Sequence, residues 1–168
     1  AGQSFENFKE SLEKVSVLDP DHISLYALQV EEGTPLARQV EEGLRLPSDE
    51  QTADEYNFAQ MFLAERGYDQ YEVSNFSKPG FACHHNWNIW RGEDYWGFGI
   101  SAVGTVQGVR HGHRDDLMEY IRQVPQGRQG LLVKEVLSET VKAWERILLH
   151  FRTKDGVSQE ELEAYVRS

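Results

Sequence analysis

The chain has 168 residues, a formal net charge of −11, 39% hydrophobic and 27% charged residues, which suits a globular protein with one sizeable core or one domain plus a small appendage. No run approaches the ~20 apolar residues that span a bilayer, so no transmembrane segment is expected. The acidic surface repels phosphate backbones, so nucleic acid is not an expected partner.

The charge is unevenly spread. Residues 1–80 carry sixteen acids against six Lys and Arg, and residues 81–168 carry twelve against eleven. An anionic ligand therefore sits more easily on the second half. The opening AGQSFENFKE has neither a basic start nor an apolar stretch, so no signal peptide is expected. The single cysteine, Cys83, forms no internal disulfide, which points to a reducing compartment and a cytoplasmic location. The first residue is Ala1 rather than Met, which suggests a cut point.

In chain order, Ser4 is a candidate N-cap, and Phe5, Phe8, Leu12 and Val15 follow at helical spacing. Asp19-Pro20-Asp21 is a turn. HISLYALQV (22–30) is short and rich in strand formers on both faces, as in a strand covered on two sides. Thr34-Pro35 opens a short helix that Gly43 stops. Ser48 to Gln51 has capping-box spacing and predicts a long helix, with Ala53, Tyr56, Ala59 or Gln60, and Leu63 on one side and Gly67 as its stop. YDQYEVSNF (68–76) alternates as a strand would, and Lys78-Pro79-Gly80 is a turn.

Helix, strand, helix, strand over 4–76 predicts βαβ crossovers and a parallel sheet. Further strands are sought in YWGFGISAVGTVQGVR (95–110). The last third reads as helical. An amphipathic helix at 115–124 is ended by Pro125, and a loop covers 126–130. Val133, Val136 or Leu137, Val141, Trp144, Leu148 and Phe151 form a stripe, and Ser158 with Glu161 makes a second capping box.

The chemistry concentrates in CHHNWNIW (83–90), with Cys83, His84, His85, Trp87 and Trp90. A zinc site is disfavoured, because structural zinc brings paired ligands, and only the H-x-H of His111 and His113 is paired here. The bland alternative is one buried imidazole bonded to backbone and one exposed. Phe81, Trp87, Trp90, Tyr95, Trp96 and Phe98 make either a surface for a flat apolar ring or an aromatic corner of the core. Arg91, Arg110 and Arg114 are candidates to pair with carboxylates on such a ring, and a neutral imidazole is a candidate iron ligand. Gly97, Gly99 and Gly104 do not make a dinucleotide fingerprint and suit close backbone packing or approach to a ligand. Cys83 beside His84 is a weak signal for a thiolate pair, because such partners are seldom sequence neighbours.

The run GYDQYEVSNFSKPGFACHHNWNIWRGEDYWGFG (67–99) resembles the radical S-adenosylmethionine proteins related to oxygen-independent coproporphyrinogen III oxidase, in their heme-chaperone branch. The matching residues are Tyr71-Glu72, Ser74, Phe76, Pro79-Gly80, Cys83, His85-Asn86, Trp90, Tyr95, Gly97 and Gly99. GQSFENF, DHISLYALQVEEGTPL and ERILLHFRTKDGVS extend the likeness over most of residues 2–160. Ile89 departs from the pattern by standing where that branch has Tyr.

The resemblance implies an α/β fold: the C-terminal part of a partial (β/α) barrel of the radical S-adenosylmethionine type over 1–110, then an incomplete helical region over 111–168. It implies heme or another tetrapyrrole as ligand, an acceptor protein for that heme, and His85 at the iron. Asn86 would orient local backbone, Trp90 would pack by the ring, and Gln29 is a weak candidate for contacting S-adenosylmethionine. The family holds a [4Fe–4S] cluster on C-x3-C-x2-C. With Cys83 alone, this chain is expected to be unable to generate the radical, and no residue is assigned a catalytic role. The alternatives are oxidative decarboxylation of coproporphyrinogen III and a remnant that binds nothing. The missing strands would leave an open sheet edge, prone to self-association.

Overall fold

A computed structural model describes residues 2–126 and 132–166. It divides into two compact units, residues 1–82 and residues 83–168.

In the first unit, α1 (Phe5–Val17) starts at Ser4, whose hydroxyl accepts from the Asn7 N–H. β1 (His22–Ser24) follows, and then α2 (Pro35–Glu41) begins at Thr34, which accepts from the Ala37 N–H. Ser48 caps α3 (Asp49–Ala64) by accepting from Gln51. The Gln51 side chain bonds to Glu55 instead of reaching back, so only half of the expected capping box forms. Gly43 and Gly67 take positive φ after their helices, where a side chain would be strained.

β2 (Asp69–Glu72) and β3 (Asn75–Ser77) complete a sheet of order β1-β3-β2. Both pairings are antiparallel, which corrects the expected parallel sheet. β1 and β2 do run in the same direction, as a crossover through α2 and α3 requires, but β3 fills the slot between them. The run 68–76 is therefore a tight hairpin rather than one strand. The Glu72 carboxylate makes the turn by accepting from the Ser74 N–H at 2.8 Å and from the Asn75 side-chain amide.

The predicted strand 22–30 is also shorter than expected. Only His22–Ser24 pairs, Leu25 adds one bond to Ser74, and Tyr26, Leu28 and Val30 are exposed. Leu12, Ile23, Ala59, Phe62, Leu63, Tyr68 and Phe76 form the core, with Phe8, Leu25 and Phe58 packed against it. On α3 the buried stripe is Ala59, Phe62 and Leu63; Ala53 is exposed.

The second unit begins with α4 (His84–Trp90). β4 (Val103–Val106), β5 (Val109–Gly112) and β6 (Leu132–Val136) form an antiparallel sheet in chain order. β5 runs across residue 110, where the barrel part was expected to end. α5 (Leu117–Gln123), capped by Asp116, leads into a 3-10 turn at Val124–Gln126; the rest of the loop expected over 126–130 lies outside the described residues. The stretch expected to open the last helical stripe is β6, so this region is not purely helical. α6 (Glu139–His150) starts only at its cap, Ser138, and α7 (Gln159–Val166) follows. Leu137 and Ile147 are buried, and among the described residues no helix is long and apolar enough to cross a membrane.

The expected capping box of α7 is reciprocal. The Ser158 N–H and hydroxyl both donate to Glu161 at 3.0 Å, and the Glu161 N–H donates back to the hydroxyl. These bonds from the Ser158 backbone and side chain hold the Glu161 carboxyl below its ordinary range. A depressed folded-state value adds stability above the unfolded value, about 4.3, and loses it as pH falls through the lower folded one. The pair is exposed, so a Glu161→Gln variant is expected to lose less than about 1 kcal/mol at pH 7. Urea melts of variant and wild type should converge as pH drops below that range; a difference that persists at low pH would count against this role.

Candidate functional site

CHHNWNIW folds as α4, with Cys83 at the N-cap position and no side-chain capping bond. His84 and His85 are both exposed, so neither is the buried, backbone-bonded imidazole of the bland reading. Among the described residues neither makes a hydrogen bond, ion pair or ring contact, and Cys83 and His84 form no thiolate pair. Both imidazoles are therefore free to meet a ligand. Asn86 and Trp90 are partly buried, and both have contacts within the fold or on its surface.

Residues three and four apart share a helix face. His85 therefore lies with Ile89, while His84, Trp87 and Arg91 share another side. Trp90 is five positions on from His85, about 140° around the helix. The Arg91 guanidinium lies 4.8 Å from the Trp87 ring centre, and that of Arg152, just past α6, lies 4.7 Å from the Trp90 ring centre. The buried Trp90 indole N–H has no acceptor among the described residues, an arrangement that costs stability.

An open cleft of about 1370 Å³ lies beside this helix, with Trp87, Arg91, Tyr95, Arg110, Lys142 and His150 in its lining. Arg110 is not available to a ligand. Its guanidinium bonds both oxygens of Glu145 at 2.6 and 2.7 Å and reaches Glu135 at 2.7 Å. Glu145 first, and then Glu135, hold it more firmly protonated than usual. Lys142 pairs with Glu139, and Arg146 and His150 lie 3.6 Å from Glu161. Arg114 is exposed.

His111 stacks on the half-exposed Trp96 with centres 5.9 Å apart, and buried His113 meets Tyr120 edge-on. The H-x-H pair is thus absorbed by aromatic partners. No group of three His, Cys, Asp or Glu side chains converges as a metal site among the described residues.

Gly97 and Gly104 serve close packing. A Cβ on Gly104 would lie 2.6 Å from the Tyr95 carbonyl oxygen and 2.7 Å from the Gly97 nitrogen. Gln29 is exposed on the unpaired segment after β1, in the first unit.

The fold is similar to a solved one. It superposes on a solved structure titled "Coproporphyrinogen III oxidase (HemN) from Escherichia coli is a Radical SAM enzyme" with a TM-score of 0.71, 19% identity, and coverage of 99% of this chain and 41% of that one. The sequence is similar to curated proteins. The chain is 37% identical over 163 residues to "Heme chaperone HemW" of Lactococcus lactis, covering 96% of this chain and 42% of that protein. It is 32% identical to the HemW of Bacillus subtilis (99% and 45%). It is 35% identical to the zebrafish (Danio rerio) "Radical S-adenosyl methionine domain-containing protein 1, mitochondrial" (98% and 39%). No family model matches. The likeness to HemW-type radical S-adenosylmethionine proteins thus covers nearly the whole chain, which spans about two-fifths of the length of these relatives.

Sequence reasoning missed Arg152. Its only signal was the likeness of ERILLHFRTKDGVS to the family, because the residue meets Trp90 through tertiary packing.

Proposed function

We propose that the chain is the heme-handling part of a HemW-type protein. An imidazole on α4 takes heme iron, and the heme then passes to an acceptor protein. The observation that carries this reading is the pair of exposed, unpartnered imidazoles within the best-matching segment. The family resemblance assigns the iron to His85. A second reading gives it to His84, because His84 shares its helix side with Trp87 and the cleft-lining Arg91. Asn86 and Trp90 then seat the helix rather than touch a ring held by His85.

The intact relatives are expected to carry a [4Fe–4S] cluster and S-adenosylmethionine. One thiolate does not fit such a cluster, so this chain alone would not decarboxylate coproporphyrinogen III. Gln29 remains the proposed contact to S-adenosylmethionine. The open edge of β1 is the proposed route of self-association.

The test is transfer. The chain loaded with ferric heme is mixed with excess apomyoglobin and followed by absorbance. Saturable one-to-one loading and complete passage to the globin are expected. Loading that never saturates, or heme that stays behind, would contradict the chaperone reading.

A further inference from the structure

We propose that Arg91 and Arg152 form a clamp for paired carboxylates, which fixes the ligand as a flat ring bearing two acid groups. The inference rests on the tetrapyrrole reading above but not on which imidazole meets iron. Each guanidinium is held over an indole, at 4.8 Å for Arg91 on Trp87 and 4.7 Å for Arg152 on Trp90. A guanidinium lying over a ring face still directs its N–H donors outward in its own plane, the geometry that grips a carboxylate with two bonds.

Trp87 and Trp90 are three residues apart on α4, so they sit side by side, about 5–6 Å apart at Cβ. Each of these two indoles thus carries one cation, and both cations are exposed.

Neither arginine has a carboxylate partner among the described residues, in a chain of net charge −11. The contrast lies close by: Arg110, Lys142, Arg146 and His150 in the cleft lining are each matched to an acid. A dianion would supply a partner to both unmatched cations. Heme carries its two propionates on adjacent pyrroles of one edge, which suits such a pair. The edge of the ring that bears the acid groups then lies on the Trp87–Trp90 side of α4.

The experiment titrates the chain with metal-free protoporphyrin IX and with its dimethyl ester, followed by tryptophan quenching. The acid is expected to bind at least about ten-fold more tightly than the ester. Arg91→Gln and Arg152→Gln should each remove most of that preference while leaving the ester's affinity in place, which also shows that the variants fold. His85→Ala should leave the preference intact. Equal affinity for acid and ester in the wild type, or a preference that survives both substitutions together, would overturn the clamp alone. Failure of both rings to bind would overturn the clamp and the tetrapyrrole reading together.

Discussion

Truncating Phe76 to alanine is expected to cost about 3–5 kcal/mol, the range for removing a buried aromatic ring without collapse of the site. Phe76 is 1% exposed and sits on β3, the strand that hydrogen-bonds to both β1 and β2. Its ring packs in the single cluster with Leu12, Ile23, Ala59, Phe62, Leu63 and Tyr68. The cavity would open at the junction of the sheet and α3, where backbone pairing on both sides limits relaxation. In a unit of 82 residues, a loss of 3 kcal/mol lowers the melting temperature by roughly 12–24 °C. Calorimetry of the variant measures this. A shift of only a few degrees would mean that the cluster is not the unit's main source of stability.

The second large effect is expected at Gly104. Alanine there would press its Cβ against the Tyr95 carbonyl and the Gly97 nitrogen, both of them backbone atoms with little room to yield. The pair of bonds between Tyr95 and Thr105, 2.8 and 2.9 Å, would have to open. A cost of about 3 kcal/mol follows from overpacking. Gly112→Ala is the contrasting variant. A Cβ there meets the flexible end of Lys134 rather than backbone, so its effect should be slight. Urea denaturation of both variants makes the comparison, and equal effects would remove the argument from backbone contact.

Local chemistry was the most legible part of the sequence. Ser4, Thr34, Ser48 and Ser158 were readable as caps because a hydroxyl placed before a helix accepts from an N–H two or three residues on, whatever the rest of the chain does. The sheets were less legible. Alternation in 68–76 cannot reveal that Glu72 folds its carboxylate onto Ser74 and Asn75 to turn the chain. The apolar run 22–30 reads as a two-sided strand, but a strand also needs partners, and beyond Leu25 the described residues supply none.

The candidate site was half readable. CHHNWNIW stood out through its density of imidazole and indole. That Arg110 is spent on Glu145, and that Arg152 lies over Trp90, depends on tertiary packing rather than on spacing.

The most direct measurement is a ferric heme titration of the wild-type chain, of His84→Ala and His85→Ala, and of the double variant, followed at the Soret band. The account predicts a saturating shift in the wild type that collapses in the double variant, with the collapsing single variant identifying the iron ligand. An undiminished shift in the double variant would contradict heme binding through α4.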